Sequence, residues 1–315
     1  MKRLPLRLTT WMAIATAALI LACASGGGIS GTSLVIGPIA DFGSIVVDNI
    51  TFDTTNAVVT IEGNTATVGD LKLGMYVFVR GPVDETNDTG VAERVASDHR
   101  LEGPVDAVNP ADGTFVALSQ LVITDAETVF DQTTLATLAP EDVVEVFGVT
   151  DADASIRATR VERKTDFEEF ELTGTITNLD SAAETFKIGI LTVDFSGALV
   201  EGAPPEGLSN GLVVEVETDE QPVADLMIAL GIEVPDPELL FEDGDGVDVN
   251  GFVTAIMSPT EFVLNNDQPV KISNSTRFEN GTAADLILNA EVDVSGQRKR
   301  DGVLAAEEIE FVGGN

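Results

Sequence analysis

The stretch LKLGMYVFVRG, residues 71–81, decides the fold because its pattern occurs four times along the chain. Each copy begins with a leucine in a polar turn, and a small or turn-tolerant residue follows three positions later. Two valines stand six and eight positions after the leucine, and a closing residue stands ten positions after it. A glycine precedes each closing residue by 44 or 45 positions. Self-similarity of this kind predicts a tandem array of four small domains. The copies are Leu71, Gly74, Val77, Val79, Gly81; Leu138, Glu141, Val144, Val146, Gly148; Leu208, Gly211, Val214, Val216, Thr218; and Leu286, Asn289, Val292, Val294, Gly296, with upstream Gly37, Gly103, Gly174 and Gly251.

The local pattern within each copy is that of short strands. In the second copy, 115–118 and 121–123 read as a hairpin, and 143–148 and 156–161 read as two further strands. We therefore predict an all-β fold: four small β-barrels, OB-like, or small sandwiches, with short helical turns between strands. The valine pairs should lie in the cores, together with phenylalanines that recur at matching places, Phe115, Phe186, Phe262, Phe130 and Phe278.

The turn residue three positions after the leucine is Gly, Gly or Asn in three copies, and these residues tolerate a positive φ. Glu141 departs from the pattern, so we expect a differently built turn after Pro140. The first, second and fourth copies also end alike, with an alanine and a β-branched residue three positions apart: Ala92 and Val95, Ala158 and Val161, Ala306 and Ile309.

The third copy breaks the pattern after Thr218, where the expected final strand is missing and residues 219–246 follow instead. Val223, Leu226, Met227 and Leu230 have helical spacing, with Pro222 at a plausible start and Gly231 at a plausible stop. This predicts one short amphipathic helix, which either plugs the open end of the third barrel or serves as a docking element or lid.

The predicted organisation follows from these patterns. It consists of a signal peptide at 1–22, a Gly/Ser-rich tether at 23–33, and β domains at 34–98, 99–166, 167–245 with a helical insertion at 219–245, and 246–315.

The first residues resemble a bacterial lipoprotein signal. Lys2, Arg3 and Arg7 form a basic start, residues 11–22 are apolar, and Ile20-Leu21-Ala22-Cys23 ends the run, with Ile20 where leucine is commoner. The resemblance implies cleavage before Cys23 and lipid attachment to it; the alternative is an ordinary secretory signal with a chance cysteine. Cys23 is the single cysteine, so it forms no intramolecular disulfide. Residues 24–33 would then act as a flexible tether of about 20 Å. Ala24 after the cysteine predicts the outer membrane.

Composition excludes several classes of function. Removing residues 1–22 takes away three basic and no acidic groups, so the net charge falls from −36 to −39. Such a surface repels phosphates, which argues against binding to nucleic acid or to acidic lipid. The chain is nevertheless 44% hydrophobic, so we expect it to fold rather than to remain a disordered acidic tail.

Candidate chemistry is sparse. His99, the single histidine, lies in a polar join, Ser97-Asp98-His99-Arg100, and is expected to be solvated rather than part of a Ser-His-Asp arrangement. Residues 243–248, DGDGVD, fail the calcium-loop spacing, because Asp248 stands where glycine is required and Thr254 where a bidentate glutamate is required. A looser Ca²⁺ site there or at Asp151-Ala152-Asp153 is the alternative to a solvated turn. We find no phosphate loop and no zinc spacing, and we predict no catalytic residues, metal or cofactor.

The repeated stretches resemble the domain-of-unknown-function 5666 family of bacterial proteins, which often occurs in tandem behind lipoprotein signals. The residues that carry the resemblance include 41–45 and 52–53 in the first copy and 155–162 in the second. The resemblance implies fold and location, and it implies no activity.

The sequence therefore predicts a non-catalytic, lipid-anchored cell-envelope protein whose tandem β domains have a structural or interaction role. Its partners would be the membrane, through the N-terminal lipid, and an envelope protein or neutral glycan. The alternatives are an envelope glycan hydrolase that uses paired carboxylates and a Ca-dependent adhesin.

Overall fold

A computed structural model describes residues 32–41, 44–84, 86–165, 169–235, 246–265, 268–299 and 302–312. The predicted signal peptide and Cys23 lie outside these ranges. Regular structure in the described residues is β, apart from 3₁₀ turns at Val68–Asp70 and Ala283–Asp285. The all-β prediction is confirmed. No helix in the described ranges has the length and apolar character needed to cross a membrane.

The first unit is a small barrel. Strands β1, β2, β3, β7 and β6 pair in that order, and β6 returns to β1, so the ring closes. Strand β8 continues β7 and pairs with β6, while β4 and β5 form a hairpin beside it. The strands are β1 (Thr32–Asp41), β2 (Ile45–Val47), β3 (Ile50–Asp53), β4 (Val58–Ile61), β5 (Asn64–Ala66), β6 (Tyr76–Asp84), β7 (Thr89–Val91) and β8 (Arg94–Ser97).

The second unit repeats the ring with fewer breaks. Its strands follow one another around the ring in the order opening, second, third, fifth and fourth, and the fourth strand pairs with the opening strand. The third and fifth strands are parallel. A short additional strand pairs with the fifth. The strands are β9 (Leu101–Asn109), β10 (Thr114–Ala117), β11 (Gln120–Ile123), the additional β12 (Val129–Asp131), β13 (Val143–Thr150) and β14 (Ile156–Lys164).

The third unit forms the same ring, which corrects the sequence prediction. The chain that was expected to be helical is extended, and Met227 and Ala229 point inward while Leu226 and Ile228 point outward. This segment is the fifth strand, interrupted at Ala229–Leu230; its two halves pair with the third and fourth strands. The continuous apolar run at 226–230 fits helical spacing and a strand equally well, and only the structure shows the alternating burial. The strands are β15 (Phe170–Thr175), β16 (Thr177–Asp180), β17 (Thr185–Ile188), β18 (Leu191–Asp194), β19 (Leu199–Glu201), β20 (Val213–Thr218), β21 (Leu226–Ile228) and β22 (Gly231–Glu233).

The fourth unit matches the second in strand order and in the parallel pairing of its third and fifth strands. We call the four units barrels 1 to 4 in chain order. The strands of barrel 4 are β23 (Gly246–Ser258), β24 (Glu261–Leu264), β25 (Gln268–Lys271), the short additional β26 (Arg277–Glu279), β27 (Glu291–Arg298) and β28 (Leu304–Phe311).

The turn before the fourth strand is built in the same way in all four barrels. The residue three positions after the leucine has a positive φ each time: 78° at Gly74, 74° at Glu141, 90° at Gly211 and 62° at Asn289. The amide of that residue donates to a carbonyl of the opening strand at 2.8–2.9 Å in every barrel. The expectation of a different turn at Glu141 was therefore wrong: the backbone hydrogen bond holds the glutamate in a conformation that it rarely adopts.

The valine pairs and three of the five phenylalanines form the cores as predicted, whereas Phe130 and Phe278 are only partly buried and pack against the cores. All eight valines of the four pairs are fully buried, and so are Phe115 and Phe186. One apolar cluster spans barrels 1 and 4 and includes Phe147 and Val149 of barrel 2, whereas a second cluster spans barrels 2 and 3.

The barrels are joined through their opening strands. β1 pairs in parallel with β23, so barrels 1 and 4, the most distant in sequence, share one 14-stranded sheet. β9 pairs with β15, which places barrels 2 and 3 in one 10-stranded sheet. A linear array with contacts only between sequence neighbours, the expectation for tandem repeats, is thus not what the chain forms.

Candidate functional site

The join between barrels 1 and 2 is buried, and His99 lies within it. The His99 ring is 2% exposed, so the expectation of a solvated linker histidine was wrong. Hydrogen bonds to three barrels fix the join: the His99 amide donates to Glu62 Oε1 at 2.7 Å, the Arg100 amide to Val146 O at 2.8 Å, and the Thr173 amide to Arg100 O at 2.9 Å. The imidazole is therefore held where barrels 1, 2 and 3 meet.

Glutamates from all three barrels surround this imidazole. Nδ1 lies 2.9 Å from Glu62 Oε1 of barrel 1 and 3.8 Å from Glu145 Oε1 of barrel 2, and Nε2 lies 3.0 Å from Glu171 Oε2 of barrel 3. The ring packs edge-on against Phe147, with the ring centroids 6.3 Å apart. Despite these short distances, neither ring nitrogen makes a hydrogen bond with favourable direction. The site is thus a histidine among carboxylates, with an apolar wall on one side.

Two of these acidic residues, Glu145 and Glu171, belong to a row that crosses five neighbouring strands, which we call the glutamate row. Residues that face each other across adjacent strands are glutamate at every step, through β14, β13, β9, β15 and β20. Like charges placed directly opposite one another destabilise a sheet. The row crosses the boundary between barrels 2 and 3, and its members are Glu162, Glu145, Glu102, Glu171 and Glu217.

Cations offset part of this repulsion. Lys164 Nζ lies 3.3 Å from Glu145 and 3.7 Å from Glu102. At the end of the row, buried Arg160 contacts Glu162 at 2.7 Å and Asp131 at 2.5 Å, and it donates to Leu73 O of barrel 1 at 3.1 Å. Lys164, Arg160 and His99 thus face five glutamates, and the row retains an excess of negative charge.

Burial and like charge shift the titration of these groups. Burial raises the pKa of Glu62 to about 7 although the neighbouring His99 acts in the opposite direction. Burial, followed by Glu169 and Glu171, raises the pKa of Glu217 to about 7. Burial alone would lower the pKa of His99, but the carboxylates of Glu62 and Glu171 outweigh it, so this pKa lies well above the usual value. Protons or another cation are therefore retained here at neutral pH.

Two sets of side chains in the described ranges have the compactness of a metal site, and both include His99. The first is Glu62, His99 and Glu171, and the second is His99, Glu102 and Glu145; within each set the ligand atoms lie within 4.8 Å of one another. Sequence reasoning missed both sets because their members come from three barrels. One signal was available: glutamate occupies the position between the two core valines in the second and third copies, at Glu145 and Glu215.

The carboxylates of the calcium site considered at 151–153 make local contacts. The Asp151 carboxylate accepts from Arg157 Nε at 2.8 Å, and Asp153 accepts from the Ser155 amide and hydroxyl. The hydrogen bonds of these two aspartates stabilise the turn at 151–157. In 243–248, residues 243–245 lie outside the described ranges, whereas Asp248 lies on β23.

Barrel 3 carries an exposed apolar strip beside an edge strand. Leu226 and Ile228, 41% and 48% exposed, point outward from β21. β19 is the last strand of its sheet, and the Leu199 amide donates to Leu230 O at 2.9 Å, so the backbones of these two residues lie side by side. A shallow pocket of about 300 Å³ next to β19 has Phe195 and Val200 in its wall and Glu184 and Glu206 at its rim. We call Leu199, Val200, Leu226, Ile228 and Leu230 the barrel 3 strip.

Comparison with known proteins gives one family and one solved structure of note. The family model "Domain of unknown function (DUF5666)" matches residues 35–96, 102–162 and 250–310, which correspond to barrels 1, 2 and 4. The solved structure "drosophila Unr CSD456" is 15% identical and has a TM-score of 0.19; the match covers 68% of this chain and 97% of that chain. The fold assignment therefore depends on the strand pairing described above.

Comparison with curated proteins found no match. Barrel 3 lies outside the three family matches although it has the same strand ring. Because those matches make up more than half of the residues, the chain belongs to the DUF5666 family.

Proposed function

We propose that the protein is a non-catalytic, lipid-anchored protein of the bacterial cell envelope that binds a partner protein through the barrel 3 strip. The single observation that supports this best is the strip itself: five exposed apolar side chains on and beside an edge strand, in a chain with a net charge of −36. Contiguous exposed apolar surface on a soluble domain commonly marks an interaction site.

The surroundings of the strip indicate the chemistry of the partner. Glu201, Glu217 and Glu233 lie on the strands next to it, and Glu184 and Glu206 at the rim of the pocket. A protein segment with apolar side chains flanked by lysine or arginine would complement both features. Such a segment could also add a strand to the edge of β19.

The positions of the carboxylates favour binding over hydrolysis. A glycosidase places two carboxyl groups on either side of an open substrate cleft. In the described residues, four glutamates gather at the junction of barrels 1, 2 and 3, against a buried imidazole and a lysine. The pocket near β19 has its two glutamates at an exposed rim.

Site-specific photocross-linking in intact cells tests the binding site. A photoreactive residue at Ile228 should capture one envelope protein, and the cross-linked peptide should contain apolar residues flanked by lysine or arginine. A photoreactive residue at exposed Glu307 of barrel 4 is the control and should capture little. Equal capture at both positions, or loss of a glycan substrate on incubation with the purified protein, would overturn the proposal.

A matched pair of variants tests the energetics of the same contact. Leu226→Ser with Ile228→Ser should weaken capture at least tenfold, because about 25 cal/mol is lost per Å² of apolar contact. The melting temperature should change little, since both side chains already face solvent. Ile287→Ser with Leu288→Ser, an exposed apolar pair on barrel 4, should leave capture unchanged.

The anchor requires a separate test, because Cys23 lies outside the described residues. Mass spectrometry of the mature protein should find a lipid-modified N-terminus at Cys23, and Cys23→Ser should release the protein from membranes. Fractionation should place the wild-type protein in the outer membrane. A mature N-terminus at any other residue would contradict the anchor and leave the barrel 3 contact to its own test.

A further inference from the structure

We propose that the junction of barrels 1, 2 and 3 is a binding site for a divalent transition-metal ion of the Zn²⁺ class, with His99 as its nitrogen ligand and Glu62, Glu171, Glu102 and Glu145 as the candidate oxygen ligands. This site is separate from the barrel 3 strip and does not depend on the proposed binding function. It also differs from the sequence expectation, which assigned no metal.

Geometry is the first support. The two compact sets, each with ligand atoms within 4.8 Å of one another, share His99. Small side-chain rotations would bring one imidazole nitrogen and two or three carboxylate oxygens to the distances of about 2.0–2.2 Å that Zn²⁺ requires. The glutamates on β9, β13 and β15 come from paired strands, so the sheet already fixes their backbones.

The direction of the contacts at the buried imidazole is the second support. His99 is 98% buried, and its ring nitrogens have carboxylate oxygens at 2.9 and 3.0 Å but no hydrogen bond of favourable direction. A buried polar group without a directed partner is costly. A metal ion on one ring nitrogen would satisfy that nitrogen, and the other could then donate to a carboxylate, as metal-bound histidines usually do.

Charge is the third support. Glu62, Glu145, Glu171 and Glu102 surround His99, and Lys164 is the cation that contacts two of them. A divalent ion would neutralise the excess. Imidazole combined with carboxylate favours Zn²⁺, Mn²⁺, Fe²⁺ or Co²⁺, whereas Ca²⁺ takes oxygen ligands alone.

Binding by the set Glu62, His99 and Glu171 would join barrels 1 and 3 and the link between barrels 1 and 2 through one ion. Glu62 belongs to barrel 1, Glu102 and Glu145 to barrel 2, and Glu171 to barrel 3. Because metal bound only to the folded state stabilises it by mass action, loss of the ion should loosen the contact between barrel 1 and the pair formed by barrels 2 and 3.

Calorimetry on the chain without its signal peptide tests the proposal, with Zn²⁺, Mn²⁺ and Ca²⁺ as probes. We expect one Zn²⁺ per chain and a raised melting temperature, with Ca²⁺ at least tenfold weaker. His99→Gln and Glu171→Gln should each weaken Zn²⁺ binding at least tenfold. Glu307→Gln, an exposed acidic residue on barrel 4, is the matched control and should bind as the wild type does. Unchanged binding in His99→Gln, or Ca²⁺ equal to Zn²⁺, would overturn the proposal.

A spectroscopic measurement on the wild type covers the case in which the variants fail to fold. Because the chain has one histidine, X-ray absorption of the bound metal that shows one imidazole ligand identifies His99 without mutation. An oxygen-only spectrum overturns the assignment.

The pH dependence separates a metal site from a protonated histidine held by carboxylates. A metal needs the neutral imidazole, so Zn²⁺ affinity should rise from pH 6 to pH 8 with release of protons. If instead Zn²⁺ has no effect and the metal-free protein becomes less stable as the pH rises, the imidazolium itself holds the junction and the metal proposal is wrong.

Discussion

Barrels 3 and 4 reach the same five-strand ring through different chemistry at the closing position. In barrel 4 this position is Gly296, and a Cβ there would lie 2.2 Å from Ala305 O of the fifth strand. Thr218 takes the place in barrel 3, where its hydroxyl lies 2.9 Å from Ile228 O of the fifth strand. The close approach of the strands in barrel 4 requires glycine at this position, whereas the contact in barrel 3 requires a hydroxyl-bearing side chain. Strand order is therefore preserved while the residue pattern that a family model recognises is lost.

The largest expected effect tests whether each pair of barrels forms one cooperative unit. Val144→Asp places an unpaired charge in the core and should lower the free energy of unfolding by about 4 kcal/mol or more. Because one apolar cluster spans barrels 2 and 3, hydrogen exchange should lose protection in both, and barrels 1 and 4 should stay protected. Val292→Asp is the matched control, with the opposite outcome expected. Loss confined to one barrel in either variant would show that the barrels unfold independently.

The closing position in barrel 4 should be the next most sensitive. Gly296→Ala forces the new methyl against the backbone of the fifth strand, and we expect a loss of about 2–3 kcal/mol, measured by chemical denaturation. Gly197→Ala in barrel 3, where a Cβ would meet no atom within 4 Å, is the control and should cost little. A cost below about 0.5 kcal/mol for Gly296→Ala would mean that the strands can separate freely at this point.

The equivalent change in barrel 3 should cost less. Thr218→Val retains the shape of the side chain and removes the hydroxyl, so we expect a loss of about 1–1.5 kcal/mol from the missing hydrogen bond. Thr218→Ser retains the hydroxyl and serves as the control. If Val is tolerated better than Ser, packing rather than hydrogen bonding closes barrel 3.

The stability of barrel 4 should also depend on pH, through Asp293. Burial, then the charges of Asp48, Glu310 and Glu291, raises the pKa of Asp293 to about 6, against a hydrogen bond from Asn250. The protonated acid therefore favours folding below the unfolded pKa of about 4, and this contribution is lost as the pH rises through 6.

Asp293→Asn mimics the protonated form. It should raise stability at pH 8 by about 1 kcal/mol, a figure reduced to allow for solvent screening, and should have no effect at pH 4. Thermal melts across that range provide the measurement, with Glu307→Gln as the exposed control. Destabilisation at pH 8 would show that the ionised carboxylate is favoured in the fold.

The smallest effect concerns the turn shared by all barrels. Glu141 has a φ of 74°, and asparagine adopts this region more readily. Glu141→Asn should therefore stabilise barrel 2 by about 0.5 kcal/mol, and the reciprocal Asn289→Glu should destabilise barrel 4 by a similar amount, both read from melting temperatures. Equal melting temperatures for both variants and the wild type would mean that the turn imposes no conformational preference.

Sequence reasoning succeeded wherever the information was local. The valine pairs, the phenylalanines and the turn residue recur because each barrel must bury one strand face and reverse direction at one point. The same reasoning failed in barrel 3, where residues 226–230 are apolar at every position, and a short continuous apolar run fits a helix as well as a buried strand. Ala229 and Ile232 were the missed signal, since they repeat the alanine and β-branched pair that ends the other three copies.

By itself the sequence determined the all-β class, the number of units, the core valines and the acidic character, because all of these follow from residue type and spacing along one chain. Only the tertiary structure decided that β1 pairs with β23 and β9 with β15, since pairing between strands far apart in sequence leaves no periodic trace. The junction around His99 depends on the second of these pairings, which sets Glu171 opposite Glu102. Together with the folding of barrels 1 and 2, it gathers Glu62, Glu102, Glu145 and Glu171 around one imidazole, which the residues around position 99 alone present as an ordinary polar linker.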